Sequence, residues 1–122
     1  MGNDIVLRLP LCTNNLLCAR LTAGAVASLM DIDVEAAEDI KVCVNEACLI
    51  MVGSGFSTAQ ITFGMGEALS IEISGEGSCP SPMSVAGDNT EISMLLIKSL
   101  VDEVHYTGED SVISKVNLIK RI

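Results

Sequence analysis

A chain of 122 residues has room for one domain, and a single unit spanning residues 1–122 is expected. Seven basic against sixteen acidic residues give a net charge of −9, the wrong sign for a phosphate backbone, and Phe56, Phe63 and Tyr106 are too few aromatics to stack bases, so nucleic acid is excluded as an expected partner. Hydrophobic residues make up 49% of the chain, so the core must be aliphatic, under an acidic surface that keeps the domain soluble or meets a basic protein.

In chain order, Asp4–Leu9 alternates, with Ile5, Leu7 and Leu9 on one face, and reads as a half-buried strand ended by Pro10. Thr13 or Asn14 can cap a first helix to about Met30, whose apolar residues Leu17, Leu21, Ala25 and Leu29 recur every four positions. Its small residues, Ala23, Gly24, Ala25, Ala27 and Ser28, suit a close approach to another element. Asp31 and Asp33 break the helix. Asp33 then caps a second helix, to about Val52, with Glu35, Glu38 and Asp39 in its solvated first turns and Ala36, Ile40, Cys43, Val44, Ala47 and Met51 facing inward. Thr58–Met65 and Ala68–Ser74 predict a hairpin with Ile61, Phe63 and Met65 on one face and Leu69, Ile71 and Ile73 on one face.

Gly75–Asn89 reads as a loop rich in Gly, Ser and Pro. A third helix is expected from about Thr90 to about Val104, burying Ile92, Leu95, Leu96, Leu100 and Val104 or near neighbours, with His105 exposed at its end. Ser111–Ile119 is the last strand, with Val112, Val116 and Leu118 on one face. This β-α-α-β-β-α-β order favours an α+β fold, a two-layer sandwich in which three helices cover one face of a mostly antiparallel, mixed sheet.

No apolar run reaches the roughly 18 residues of a membrane span. The N-terminus lacks a signal-peptide pattern, and Val6 stands where a myristoylation motif wants Ser or Thr. A cytoplasmic domain away from membranes is expected. Five cysteines without a metal-like spacing fit buried free thiols in a reducing compartment, and with His105 as the sole histidine no metal site is expected.

Three phrases carry a resemblance. Val34–Cys48 (VEAAEDIKVCVNEAC) is an acidic amphipathic run closing in Glu-Ala-Cys, Leu21–Met30 precedes it, and Met94–Val104 (MLLIKSLVDEV) follows the hairpin. In that order they resemble the three helices of the anti-sigma-factor serine kinases, a branch of the histidine-kinase-like ATPases with the Bergerat fold. The resemblance spans nearly the whole chain. It implies a bacterial regulator of transcription whose partner is a sigma factor or an anti-anti-sigma factor, and which forms a homodimer, for which the first strand offers a sheet edge.

The family's site can be compared position by position. Its Glu, the base toward the target hydroxyl, is matched by Glu46, here a vestigial base. The Asn four residues on, which holds Mg²⁺ on the ATP phosphates, is replaced by Ile50, and an alkyl group cannot ligate a hard cation. Asn45 sits one residue off, on a different side of the helix. In the family's Asp-x-Gly segment, whose Asp anchors adenine, Gly75 and Gly77 survive as cofactor-binding positions, but Ser74 or Gly75 stands at the Asp, and Glu76 is out of register. The phosphate-binding Gly-x-Gly is replaced by Glu91-Ile92-Ser93-Met94.

Read without the resemblance, Glu46 is a carboxylate at the solvent edge of an apolar helix, and Ile50 and Met94 are core residues. The expectation is a protein-binding regulatory module, in effect a pseudokinase, with a lost or impaired ATP site and no cofactor. One alternative is an ATP- and Mg-dependent serine kinase with Glu46 as base. Another is a small-ligand sensor in which the Gly75–Asn89 loop closes over an apolar molecule.

Overall fold

The computed structural model describes residues 4–77, 90–109 and 112–121. β1 (Ile5–Pro10) leads through a 3-10 turn (Thr13–Asn15) into α1 (Leu16–Leu29) and α2 (Val34–Gly53). The hairpin β2 (Thr58–Met65) and β3 (Ala68–Glu76) follows, then α3 (Thr90–Leu100), β4 (Glu103–Glu109) and β5 (Val112–Arg121). The strands form one sheet in the order β1-β2-β3-β5-β4, so β1 lies at one edge, as expected, and β4 at the other. The expected α+β class holds, but the sheet is not mixed: all four strand pairings are antiparallel. The reason is β4, which the sequence did not suggest. It turns back between α3 and β5, so β5 enters antiparallel to both its neighbours.

The strands alternate as their period of two requires. Leu9, Ala59, Ile61, Phe63, Leu69, Ile71, Ile73, Val116 and Leu118 are buried, while Arg8, Glu72, Glu76, Glu103, Lys115 and Arg121 lie on the other face. That open face is laced by Arg8–Glu76, Lys115–Glu72 and Arg121–Glu103 ion pairs. The helices cover the apolar face, with α1 against β2, α2 against β3 and β5, and α3 packed on α2 and β4.

α2 follows its sequence pattern from Ile40 on, while in its first turns Ala37, not the expected Ala36, packs against the core. Asp33 Oδ1 accepts a hydrogen bond from the Ala36 N–H at 2.8 Å, and Ile40, Cys43, Val44, Ala47 and Met51 are buried. Between α1 and α2 the chain turns through a Schellman motif. The Ile32 N–H reaches the Ala27 carbonyl at 3.0 Å and the Asp31 N–H reaches Ser28 at 3.1 Å, with Asp31 itself in the left-handed region at φ 56°. Asp tolerates that conformation better than most residues with a side chain.

Other expectations need correction. Neither Thr13 nor Asn14 caps α1. The N-cap is Asn15, which makes no capping bond and instead donates from Nδ2 to the Pro10 carbonyl at 3.1 Å. The row Leu17, Leu21, Ala25 and Leu29 lies outside, and α1 buries Leu16, Ala19, Ala23, Val26 and Ala27. α3 stops at Leu100, and its buried residues are Ser93 and Ile97, with Ile92, Leu95 and Leu96 exposed. Apolar residues surround α3 on almost every side, so the helical period alone did not select a face.

Val104 and His105 belong to β4. Val104 and Tyr106 point to the core, while His105 Nε2 lies 3.6 Å from Glu103 on the open face. In β5 it is Ile113, not Val112, that packs against the core, because a register shift between Thr107 and Gly108 leaves Ser114 as an extra residue on β5. Gly108 makes this possible, since a Cβ there would land on the Val112 carbonyl oxygen. Ser111, the expected first residue of that strand, and residues 78–89 of the expected loop lie outside the described residues.

Cys43 and Cys48 are buried free thiols as expected, but Cys12 and Cys18 are exposed. No helix among the described residues is long and apolar enough to cross a membrane.

Candidate functional site

Glu46 sits in the middle of α2, on the side that faces the start of α3. Two residues flank it in space. Ser93, in the first turn of α3 and only 4% exposed, donates its hydroxyl to Glu46 Oε1 at 2.8 Å. Asn45 Nδ2 makes a long contact to Glu46 Oε2 at 3.4 Å, while its Oδ1 accepts from Arg20 Nη1 of α1 at 2.7 Å. The chain Arg20–Asn45–Glu46–Ser93 therefore ties the three helices together through polar groups. Charge-assisted acceptance by the carboxylate makes the Ser93 bond the strong link of this chain.

One turn along α2 from Glu46, Ile50 is 1% exposed and belongs to the core. Met94 packs partly buried against the same core, and its carbonyl lies 3.4 Å from the Tyr106 hydroxyl. One turn the other way is Cys43, whose thiol is pushed up to about 12 by burial, with Asp39 and Glu46 adding to the effect and Lys120 opposing it. Burial also raises the Tyr106 hydroxyl, with Cys43 adding a smaller contribution. Cys48 is likewise pushed up to about 12 by burial. Beneath Glu46, then, the interior is aliphatic and neutral.

A general base needs a lone pair aimed at the proton it will take. Glu46 Oε1 is engaged by Ser93, and among the described residues Oε2 has the long contact to Asn45. Among the described residues no group of three or more His, Cys, Asp or Glu side chains is placed to hold a metal ion.

Gly75 and Gly77 lie at the far end of β3, and no hydrogen bond among the described residues links them to Glu46. Both have a local reason to be glycine. A Cβ at Gly75 would fall on the Phe56 ring, and Gly77 adopts φ 73° with the Ser57 hydroxyl where its Cβ would be. The segment that enters β2 is thus packed over both glycines, and the Ser57 N–H bonds the Glu76 carbonyl at 3.2 Å. Next to Phe56 lies an open, mainly apolar cavity of about 530 Å³, lined by Leu11, Cys12, Leu16, Leu49 and Val52 among others.

Sequence reasoning singled out Glu46 but set Asn45 aside and treated Ser93 only as the residue in place of a glycine. It did not consider Arg20. One signal could have found that residue: Arg20 is the sole charged side chain between Leu16 and Leu29, and an isolated charge on an apolar helix needs a polar partner.

No family model matches the chain, and no curated protein matches it at a significant level of sequence similarity.

Proposed function

We propose that this chain is a regulatory protein-binding module on a scaffold of the anti-sigma-factor kinase type, engaging a sigma factor or an anti-anti-sigma partner without turning over ATP. The observation that carries the reading is the Ser93–Glu46 hydrogen bond, which engages the carboxylate that a kinase of this type would use as its base.

The neighbouring residues do not fit a magnesium–triphosphate. Ile50, at the metal-ligand position, is an alkyl side chain packed into the core, and Mg²⁺ requires oxygen ligands in near-octahedral array. Ser93, in the stretch where phosphate-binding glycines would leave bare N–H groups, puts its hydroxyl on Glu46, and the exposed Glu91 of the same turn would repel an anion. The Phe56 ring covers Gly75. Phosphoryl transfer rests on positioning and charge neutralisation, and these positions supply neither. The helix order and the helix-covered sheet are compatible with the Bergerat architecture and leave the outer surfaces of the helices for a partner.

Calorimetric titration with Mg–ATP tests the reading. The expected result is no saturable binding at nucleotide concentrations up to about 1 mM, a limit equivalent to roughly −4 kcal/mol. A micromolar dissociation constant, or transfer of labelled phosphate to a candidate anti-anti-sigma protein that Glu46→Ala abolishes, would overturn it in favour of the kinase.

A further inference from the structure

α1 is unlike an ordinary surface helix. Its inner side buries Leu16, Ala19, Ala23, Val26 and Ala27, yet its outer side is also apolar, with Arg20 the one charge in 14 residues. The outer row Leu17, Leu21, Ala25 and Leu29 stands in solvent, with the leucines 50%, 60% and 67% exposed. A helix apolar all round is one that is covered. A row of side chains four apart is, moreover, the ridge that seats in the groove of a second helix. Leu17 to Leu29 spans about 18 Å, roughly three turns of a partner helix.

Beside this ridge runs a groove of about 480 Å³ between α1 and the first half of α2, floored by small residues such as Gly24, Ala25 and Ala37 and walled by Leu21 and Val34, the latter 80% exposed. The two charged residues of the groove itself, Glu38 and Lys41, pair with each other at 2.9 Å, and the Lys41 stem lies over Gly24. The charges next in the chain to its lining residues Ile32 and Val34 are all acidic: Asp31, Asp33 and Glu35, each exposed. Asp31 and Glu35 have no cation within reach among the described residues.

A second copy of the chain cannot readily neutralise this rim. Six of its seven basic residues are engaged internally: Arg8 with Glu76, Arg20 with Asn45, Lys41 with Glu38, Lys115 with Glu72, Lys120 with the Leu100 carbonyl, and Arg121 with Glu103. Two copies meeting here would bring two acidic rims together.

We propose that the outer ridge of α1 and the α1–α2 groove form a docking site for a basic amphipathic helix of another protein, its apolar face on Leu17, Leu21 and Val34 and its cations on Asp31 and Glu35. This rests on the protein-binding half of the proposed function, not on the statement about ATP. It names the partner's chemistry: apolar residues at i, i+3, i+4 and i+7, with Lys or Arg on the flanks.

The test is a titration of the full chain with three labelled peptides of about 18 residues, followed by anisotropy. One is an amphipathic Leu/Lys helix, the second the same helix with Glu for Lys, and the third a scramble of the first that keeps composition and loses the apolar face. The amphipathic basic peptide is expected to bind at least about tenfold more tightly than either control, a difference of about 1.4 kcal/mol. Leu21→Asp and Val34→Asp should each weaken it by about tenfold or more, and Glu35→Lys should weaken it and flatten its salt dependence. All three variants should remain folded, with Glu35→Lys melting slightly lower because it places a cation at the N-terminus of α2.

Equal binding of the scramble, or indifference to Leu21→Asp in a folded variant, overturns the proposal. So does a concentration-dependent homodimer that Leu21→Asp dissolves, since the occupant is then a second copy. Tight Mg–ATP binding alongside intact peptide binding would overturn the proposed function but leave this site standing. Loss of peptide binding without ATP binding would do the reverse.

Discussion

Ser93 and Glu46 show how much one side chain decides at this site. Ser93 is the buried polar residue of α3, and its hydroxyl supplies the short hydrogen bond of a half-buried carboxylate. Ser93→Ala keeps the helix but leaves Glu46 Oε1 without its donor. A hydrogen bond to a charged group contributes about 1.5–3 kcal/mol, and water can replace part of it at a half-buried site, so a loss of about 1–2 kcal/mol is expected. Urea unfolding of Ser93→Ala measures it. An unchanged midpoint would mean that Glu46 is satisfied by solvent and that the Ser93 bond is incidental. Glu46 as a singular carboxylate was legible in the chain, because it stands on an otherwise apolar stretch of helix. Ser93 as its partner was not, since the two are 47 positions apart and nothing local connects them.

At the scale of elements, the packing of Phe56 on Gly75 joins the α2–β2 connection to β3. A methyl group at Gly75 would overlap the ring, so Gly75→Ala must displace Phe56 or bend the strand, at a cost of about 1–3 kcal/mol. Phe56→Ala removes the obstacle. The double variant should therefore be more stable than the sum of the two single losses predicts, with a coupling energy of about 1 kcal/mol or more. A double-mutant cycle by chemical denaturation checks this, and strict additivity would show that the ring yields freely. The survival of the glycine was visible in the sequence, where the resemblance offered a cofactor reason. The ring that occupies its vacant side comes from 19 positions earlier in the chain.

The whole molecule adds a pH dependence through its buried thiols. Cys43 and Cys48 sit in the core with thiols pushed up to about 12, against about 9 for an ordinary thiol. Both stay protonated in the folded state well above the pH at which they ionise in the unfolded chain. Their contribution is thus fully present below about pH 9 and lost as pH rises from there toward 12. In this range the unfolded state binds fewer protons, and stability falls by up to about 1.4 kcal/mol per pH unit for each thiol. Denaturation midpoints measured from pH 8 to 11 should fall for the native chain and fall less for Cys43→Ala/Cys48→Ala. Equal slopes would place the alkaline sensitivity elsewhere.

The sequence by itself determined the segments whose signal is local. The β2–β3 hairpin has a period of two and glycines at its turn, and α2 has an acidic cap and an inner row, Ile40, Cys43, Val44, Ala47 and Met51, at helical spacing. β1 alternates cleanly and ends in proline. Each of these carries its own inside and outside. α1 and α3 do not, because they are apolar on nearly every side, so their burial depends on what else competes for the sheet. Tertiary structure turned Ala19, Ala23 and Ala27 inward and left Leu17, Leu21 and Leu29 in solvent, since small side chains permit the closest approach to α2 and the sheet. It also converted the end of an apparent helix into β4, where Val104 and Tyr106 gain a strand partner in β5 that the helical pattern could not show. Local periodicity records how a segment can be buried, and long-range packing chooses which face is.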